Sequence, residues 1–456
     1  CLVVAPVYKE VNRLGKKKRK KSKYDLVKTL SPMAFPSEYE EVTKSLYMKA
    51  CQGSRHLWEE ITSLEELRNN AELRKQFYSS ANKGMMSAQD DIVAMVQSED
   101  KLDFPKELLL RGIADAMAWQ LLGHQLAHAR RFFKSTAQPD LYNSNFESVV
   151  FAAKESLKDK PNAVSLISDL TSFIQVGDLL VYEPEKGLTI AEVKEGSMNA
   201  KIGDFMKFYA ESQCDRALHY FANREGEQAV KQLQRMARQA SRMSHVTSVI
   251  GTGQGVDPDT NERIRIPEPF FPIETWDDRL NNALEQANSK GWALDVIDNC
   301  LFLGVYASDH MRVGGHVAFN TWFDKMGGTP ECPRSRLIDC MRNPLALPIF
   351  SRNISDEDKF DVLFGRKQVC MGICIESLLS ECEKAGFSVR FASNKERGRL
   401  DQTGNRPYKH KGNAIFIGKG SHEVVLMDGV FLRAMFHGQS PISVIKTILE
   451  DVEINT

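Results

Sequence analysis

A helical period of apolar residues dominates the first third of the chain. Ser63 and Glu66 form a capping-box pattern at the start of the segment 63–81, in which leucines recur at helical spacings. The segment 105–134 extends this periodicity, and Pro105 stands at a position typical of a first helical turn. We therefore predict a helical N-terminal region that ends near residue 140.

The pattern changes after the polar connector at 136–145, where Pro, Asp, Asn and Ser cluster. A helix at about 145–158 leads into short apolar strands, and a long helical stretch follows at about 199–244. Between 246 and 272, turn residues separate two β-prone pieces, which predicts a long hairpin. These elements together indicate a mixed α/β region.

A helix at about 277–290 and an apolar strand at 300–307 close this region. Beyond residue 310, the strand-like pieces GFSVRF, NAIFIG and EVVLMDG alternate with helices. We therefore predict an α/β protein with a helical N-terminal region at 1–140, a mixed α/β core at 141–310 and an α+β C-terminal region at 311–456.

Composition and charge exclude some classes of protein. The chain has 456 residues, of which 60 are basic and 60 acidic, so its formal net charge is zero. A histone-like binder that coats nucleic acid by bulk charge is therefore excluded, and any such contact has to come from local patches. The basic segment 16–23 is one patch, and we expect it either to grip phosphates or to remain a solvated segment.

The chain has the features of a cytoplasmic protein. No apolar run approaches the roughly 18 residues that a membrane span needs, and no signal peptide is visible. Nine cysteines are scattered without a CxxC pair, so we expect reduced, buried thiols rather than disulfides or structural zinc. Because the first residue is Cys1 rather than methionine, we also expect the gene product to begin upstream of it.

Two further motifs are weaker candidates for chemistry. His124 and His128 are four residues apart and would share a helical face, so a third ligand would complete a metal site. No HExxH pattern accompanies them, and packing or surface histidines are the alternative. The GTGQG letters at 251–255 lack the spacing and the following helix of a dinucleotide-binding loop, so we interpret them as part of a hairpin turn.

The most informative segment for chemistry is 175–196, which has the sequence QVGDLLVYEPEKGLTIAEVKEG. It has the pattern of two strands joined by a PEKG turn. Asp178 begins the first strand, while Glu192 and Lys194 lie two apart on the second and share a face. Hairpin pairing therefore predicts two carboxylates and an ammonium at one edge of a sheet.

These side chains are suited to a hard divalent cation. Asp178 and Glu192 repel each other, and a cation between them relieves that repulsion. Mg²⁺, or Mn²⁺ in its place, prefers carboxylates, waters and phosphate oxygens, and the backbone carbonyl of Val193 adds a neutral ligand. Lys194 faces the same space, where it could orient the attacking water or neutralise charge on a phosphate.

The segment resembles the motif of the PD-(D/E)xK nuclease superfamily, because Gly-Asp is followed after thirteen residues by Glu-Val-Lys. This superfamily includes restriction endonucleases, Holliday-junction resolvases and recombination exonucleases. The resemblance implies a restriction-endonuclease-like mixed sheet core flanked by helices. It also implies that Asp178 and Glu192 bind the metal and that Lys194 assists the water. Gly177 precedes the aspartate as in many members, although the proline of the pattern is missing.

The same resemblance suggests site residues outside the hairpin. Many members carry an acidic residue on a preceding helix, commonly after phenylalanine, and Glu147 matches this position, with Glu155 as the alternative. Some members use a glutamine on a following helix to hold the attacked phosphate or a metal-bound water, and Gln232 is the candidate here.

The helix that carries Gln232 also has one apolar and one basic face. The basic face is either a solvated surface or a stripe that follows nucleic-acid phosphates. Its residues are Lys231, Arg235, Arg238 and Arg242.

From these residues and the resemblance we predict a metal-dependent nuclease, with DNA as the expected substrate and endonucleolytic cleavage as the expected mode. A nuclease core between two further regions resembles prokaryotic anti-phage defence or restriction effectors, for which a homo-oligomer or a defence-system partner protein is expected. A DNA repair or recombination nuclease is one alternative. A non-catalytic nucleic-acid-binding scaffold with a nuclease-like fold is the other.

Overall fold

A computed structural model divides the chain into two compact units. The first unit comprises the described residues from Leu46 to Ile266, and the second comprises those from 34 to Ser45 and from 273 onward. The basic segment 16–23 and Cys1 lie outside the described residues. The structure describes residues 34–58, 61, 63–99, 102–134, 138–141, 146–160, 162–194, 196–256, 263–266, 273–307, 309–402 and 407–454.

Helices make up most of the first unit. Two of them begin at the predicted signals, because Ser63 accepts the backbone N–H of Glu66 and Asp103 accepts that of Lys106 just after Pro105 enters the helix. The helices are α1 (Glu40–Gln52), which the boundary between the units divides, α2 (Arg55–Trp58), α3 (Leu64–Asn69), α4 (Ala71–Ser98), α5 (Phe104–Leu121), α6 (Leu126–Phe132), α7 (Phe146–Ser156), α8 (Ser197–Ser212), α9 (Asp215–Glu225) and α10 (Glu227–Thr252).

A three-stranded sheet carries the candidate site. Its strands β1 (Val164–Ile167), β2 (Leu179–Glu183) and β3 (Gly187–Ala191) pair in chain order and antiparallel. The β2–β3 pairing confirms the predicted hairpin, with Leu179 opposite Ala191. β1 is buried along its whole length, and α4, α5 and α7 pack against it.

A side chain covers the outer edge of β1. Gln89 of α4 donates its amide N–H to the carbonyl oxygen of Ser165 at 2.9 Å and accepts the backbone N–H of Ile167 at 2.8 Å. Gln89 is buried, so these bonds satisfy strand groups that do not pair with β2.

The helices α8, α9 and α10 form an apolar cluster of their own, which confirms the predicted apolar face of α10. Phe205 stacks on Phe221 within it, with ring centroids 4.3 Å apart. The buried members are Ile202, Met206, Phe221, Ala229, Leu233 and Met236.

Three predicted elements have different boundaries in the structure. The stretch at 199–244 is three helices, because Gln213 (φ 49°) and Gly226 (φ 85°) leave the helical conformation. The segment 105–134 is two helices, since Gly123 (φ 61°) and His124 (φ 57°) form a left-handed turn. That turn removes His124 from the helix of His128, so the prediction that they share one helical face is wrong.

The predicted hairpin at 246–272 is shorter than expected. Helix α10 continues to Thr252 and ends where Gly253 adopts a φ of 72°. The strands β4 (Gln254–Val256) and β5 (Arg263–Arg265) then pair antiparallel, with Gln254 opposite Arg265. The glycines of GTGQG thus end a helix and begin a strand.

The second unit contains two further antiparallel sheets. One has the order β6-β7-β9-β8, and in the other β12 pairs with β10, β11 and β13. The strands are β6 (Trp292–Ile297), β7 (Leu301–Tyr306), β8 (Arg334–Arg336), β9 (Gln368–Ile373), β10 (Ser388–Phe391), β11 (Lys409–His410), β12 (Asn413–Lys419) and β13 (His422–Val425).

Helices flank the sheets of the second unit. The predicted helix at 277–290 is confirmed as the first of them, and the predicted strand pieces of the C-terminal region are confirmed as β10, β12 and β13. The helices are α11 (Asp277–Lys290), α12 (Asp309–Lys325), α13 (Asp356–Leu363), α14 (Ile375–Lys384), α15 (Asn394–Gln402), α16 (Asp428–Phe436) and α17 (Pro441–Ile454).

The fold is mixed α/β, as predicted, but its sheets differ from the mixed sheet expected of the core. Every strand pair in the described part of the chain is antiparallel. The units also differ from the three predicted regions. The helices α4 and α5 belong to the same unit as the first sheet and pack on its strand β1. Strand β7 belongs to the second unit and pairs there with β9.

Two further expectations concern membranes and thiols. Within the described residues, no helix combines the length and apolar character needed to cross a membrane. None of the eight described cysteines is part of a disulfide, and six of them are buried. Burial raises the pKa of Cys340 and Cys370 to about 12, which keeps these thiols protonated and unreactive.

Candidate active site

The base of the β2–β3 hairpin holds the predicted aspartate. The backbone N–H of Asp178 donates to the carbonyl oxygen of Ala191 at 2.8 Å. One carboxylate oxygen of Asp178, Oδ2, accepts the backbone N–H of Val193 at 2.7 Å. Asp178 is therefore fixed through both its main chain and its side chain to the Glu-Val-Lys segment.

Glu192 and Lys194 form an ion pair beside this aspartate. Nζ of Lys194 donates to Oε1 of Glu192 at 2.6 Å, and the two side chains are 24% and 15% exposed. The ion pair brings the two side chains together as predicted, but both residues lie beyond the end of β3 at Ala191 rather than on the strand. The three residues converge where the strands of the hairpin end.

A glycine is required at the entrance to this site. Gly177 has a φ of 79°, and a Cβ at this position would lie 2.2 Å from Cγ2 of Ile190 and 3.0 Å from the carbonyl oxygen of Ala191. The positive φ favours glycine at this position, and the side chain of Ile190 leaves no room for a Cβ. This close approach sets the path of the chain into Asp178.

The structure adds a residue that the sequence did not suggest. Oε1 of Gln239 on α10 accepts a hydrogen bond from Nζ of Lys194 at 3.1 Å. Helix α10 packs beside β3, which brings this turn of the helix to the end of the hairpin. Gln239 lies seven residues, or about two helical turns, after Gln232, so Lys194 contacts a different turn of the helix from the one that carries the predicted glutamine.

The electrostatics of Asp178 reflect its crowded position. Burial raises the pKa of its carboxyl group above the usual range, and the negative charges of Glu192 and Asp169 add to that effect. The hydrogen bond from Val193 and the charge of Lys194 oppose it. A cation that approaches such a carboxyl group stabilises its ionised form, because the positive charge offsets the repulsion from the neighbouring carboxylates.

Asp169 reaches this position through the loop between β1 and β2. It lies in a short 3-10 turn after β1, and the N–H of Ser168 donates to the carbonyl oxygen of Asp178 at 2.9 Å. No local pattern in the sequence marks Asp169, because its proximity to Asp178 depends on how this loop returns.

Two buried side chains of α5 hold that loop in place. Arg111 is 1% exposed and donates to the carbonyl oxygens of Asp169 and Thr171 at 2.8 and 2.7 Å. Asp115 accepts both the N–H and the hydroxyl of Ser172, at 2.7 and 2.6 Å. Burial raises the pKa of Asp115 to about 7, so this carboxyl group titrates near neutral pH.

Two predicted site residues lie elsewhere. Glu147 is exposed in the first turn of α7, and in the described part of the chain it forms no hydrogen bond or ion pair with the hairpin cluster. Gln232 donates instead to Oδ1 of Asn199 at 2.9 Å. This bond ties α10 to α8 and directs Gln232 away from Lys194.

The predicted basic face of α10 lies next to the site. Arg235 and Arg238 are exposed and Arg242 is half-buried, while Lys231 forms an exposed ion pair with Glu227 at 2.6 Å. Residues three and four apart on a helix are neighbours. The residues Arg235 and Arg242 therefore flank the glutamine that contacts Lys194.

The described residues at this site do not form a closed cage of metal ligands. Across the described ranges, no group of three or more His, Cys, Asp or Glu side chains is arranged to hold a metal ion. Asp178 and Glu192 supply two carboxylates at the hairpin base, and Mg²⁺ typically takes one or two carboxylates and completes its shell with water and substrate phosphate.

Known proteins supply no relative from which a function can be transferred. No protein-family model matches the chain, and it matches neither a curated protein nor a solved structure. The resemblance to the PD-(D/E)xK superfamily stays a prediction from the motif. What the cluster does has to be inferred from its own chemistry.

Proposed function

We propose that the chain is a metal-dependent nuclease that hydrolyses phosphodiester bonds, with DNA as its expected substrate. One observation carries the proposal: Asp178, Glu192 and Lys194 meet at the base of one hairpin, linked through the Val193 N–H and the ion pair. Two half-buried carboxylates and an ammonium close together are groups that metal-assisted phosphodiester hydrolysis uses.

Asp178 and Glu192 would hold the cation, and the backbone carbonyl of Val193 would add a neutral oxygen ligand. A bound Mg²⁺ or Mn²⁺ lowers the pKa of a coordinated water and offsets negative charge on the phosphate. The N–H of Val193 fixes the carboxylate of Asp178, so its other oxygen, Oδ1, is the one that we assign to the cation.

Lys194 is the residue that we assign to the reacting phosphate. An ammonium group has three N–H donors, and Glu192 and Gln239 accept two of them. The remaining donor can bind a phosphate oxygen whose negative charge grows in the transition state. The two acceptors restrain a side chain that would otherwise be flexible, so Lys194 is oriented before substrate binds.

The basic face of α10 would guide the nucleic acid to this point. Arg235 and Arg242 flank Gln239 along the helix, and Gln239 contacts Lys194. Phosphates that bind these guanidinium groups would place a neighbouring phosphodiester near the ammonium.

The direct test uses the purified chain with plasmid, linear DNA, single-stranded DNA and RNA, each with Mg²⁺, Mn²⁺ or EDTA. We expect cleavage with Mg²⁺ or Mn²⁺ that stops in EDTA and in the Glu192→Gln variant. Absence of cleavage in every substrate and metal combination would contradict the proposal, and cleavage that persists in EDTA would contradict its metal requirement.

A further inference from the structure

The second unit contains a polar cavity that the proposed nuclease site does not use. Its volume is about 510 Å³, which is within the range of small-molecule sites. It lies between helix α12 and the edge strand β8. Its lining residues are His316, Asn320, Asp324, Gly328, Pro330, Arg334, Ser335, Arg336 and Asp339.

Packing on the other side of α12 holds the helical wall of this cavity rigid. Phe319 and Phe323 are buried, and a Cβ at Gly315 would lie 2.7 Å from the ring of Tyr306, so the helix sits directly on the sheet. Residues four apart share a face, and three polar residues at this spacing form the wall. They are His316, Asn320 and Asp324.

The arginines of β8 form the opposite wall. Arg334 and Arg336 are two apart on the strand and share its face. The guanidinium of Arg334 lies 4.7 Å from the ring centroid of Phe323 and donates to Oδ1 of Asn320 at 3.0 Å. It also bonds to Asp324. Stacking and hydrogen bonds therefore fix this cation in one orientation.

Arg336 pairs with the carboxylate of Asp339. Its Nη2 donates to Oδ1 of Asp339 at 2.8 Å and its Nε to Oδ2 at 3.4 Å, and its side chain is 12% exposed. Burial and the charge of Arg336 lower the pKa of Arg342 and of His316, and the negative charge of Asp339 opposes this lowering. The carboxylate of Asp339 therefore acts on Arg342 and His316 as well as on its ion-pair partner Arg336.

We propose that this cavity binds a phosphorylated small molecule of about nucleotide size. Arg336 already has a carboxylate partner, so a ligand with a single negative charge would gain little by competing with Asp339. A phosphate dianion carries more charge and accepts a guanidinium fork in bidentate fashion. The cavity is larger than a phosphate ion. Asn320 and His316, whose side-chain nitrogens lie 3.1 Å apart, and Ser335, whose hydroxyl donates to Asp339 at 3.3 Å, would exchange these bonds for bonds to the organic part.

This inference does not rest on the proposed nuclease activity, because all of the cavity residues lie in the second unit. The test is isothermal titration of the full chain with pyrophosphate, ADP and ATP, and with adenosine as the ligand without phosphate. EDTA in the buffer prevents metal-bridged binding at Asp178 and Glu192. We expect saturable binding of at least one phosphorylated probe and none of adenosine.

Two variants of the cavity and one control locate the binding site. Arg336→Ala removes a charged hydrogen bond, which corresponds to roughly 10- to 100-fold in affinity. Asn320→Asp keeps the side-chain size, adds a negative charge beside Arg334, and is expected to weaken binding by at least about 10-fold. Arg279→Ala removes an arginine that pairs with Asp295 outside the cavity and should bind as the unaltered chain does.

Three results would overturn the proposal. The first is failure of pyrophosphate, ADP and ATP to bind the unaltered chain. The second is binding of adenosine as tight as that of ADP. The third is unchanged affinity in Asn320→Asp, a variant whose fold circular dichroism can verify even where Arg336→Ala proves unstable.

Discussion

The ammonium nitrogen of Lys194 lies 3.1 Å from Oε1 of Gln239, 45 residues later in the chain. This hydrogen bond joins the end of the β2–β3 hairpin to the middle of α10. The proposed catalytic group and the proposed phosphate-binding face are therefore connected by one side-chain contact.

Gln239→Ala should lower the cleavage rate by about 10-fold, because Lys194 loses one of the two acceptors that orient it. Gln232→Ala is the matched control on the same helix face, and its rate should equal that of the unaltered chain. Equal rates for Gln239→Ala and Gln232→Ala would mean that the hydrogen bond does not serve catalysis.

Lys194→Ala should reduce the cleavage rate by roughly 10²–10⁴ and leave DNA affinity and the thermal midpoint largely intact. The reason is that Lys194 is assigned to charge that develops only in the transition state. Lys186→Ala, in the turn of the same hairpin, removes an exposed lysine paired with Glu183 and should keep full activity. Single-turnover kinetics and DNA titration separate the two effects, and wild-type cleavage by Lys194→Ala would remove the basis of the nuclease assignment.

The double variant Arg235→Ala with Arg238→Ala should bind DNA more weakly and with a shallower dependence on salt. Each lost phosphate contact lowers the slope of log affinity against log salt by roughly one unit. Fluorescence anisotropy from 50 to about 300 mM salt measures this slope. Arg279→Ala is the control. If the double variant has the same slope as this control, the basic face is a solvated surface that does not bind phosphates.

Gly177→Ala should destabilise the protein more than Gly187→Ala, although both glycines have a positive φ. At Gly187 a Cβ meets no atom within 4 Å, so only backbone strain of about 1 kcal/mol is expected. At Gly177 a clash with Ile190 and the backbone of β3 should add about 1–3 kcal/mol. Urea unfolding compares the two, and equal losses would show that the chain relaxes at Gly177.

The contribution of Asp115 to stability should fall as pH rises. Its pKa is about 7 when folded and 3.8 as a reference for the unfolded chain, so between these values the folded state binds the extra proton. The free energy of unfolding therefore decreases with pH across this window, by up to about 4 kcal/mol. Asp115→Asn cannot titrate, so the stability of the unaltered chain relative to this variant should decline from pH 4 to pH 7.

Urea unfolding of both proteins across that range isolates the effect, because the other titrating groups are common to them. A difference that stays constant with pH would mean that Asp115 is ionised throughout. Ser172 would then bind a charged rather than a protonated carboxyl group.

Local patterns were sufficient to predict the hairpin, but not that the helical stretch after it consists of three helices. The alternation around the PEKG turn indicated which residues pair, and the pairing of Leu179 with Ala191 brings Asp178 beside Val193. The spacing of Glu192 and Lys194 likewise predicted their shared side. These relationships depend on the chain within about 20 residues, where periodicity is informative.

Relationships across longer distances were not predictable in the same way. Gln232 and Gln239 both lie at the border between the apolar and basic faces of α10. Which of them contacts Lys194 depends on the position of α10 along β3. The split of the 105–134 segment depends on a left-handed His124, a conformation that non-glycine residues adopt rarely. The charge of Asp169 acts on Asp178 from a loop that Arg111 and Asp115 contact far along the chain.

The glutamine on the outer side of β1 determines where this sheet ends. Gln89 occupies the carbonyl of Ser165 and the N–H of Ile167, the two groups that an added strand would need at this position. A second copy of the chain, or an extended peptide, could pair with β1 only by displacing a buried amide. Any assembly that extends this sheet would have to begin at β3 instead, which is its other outer strand.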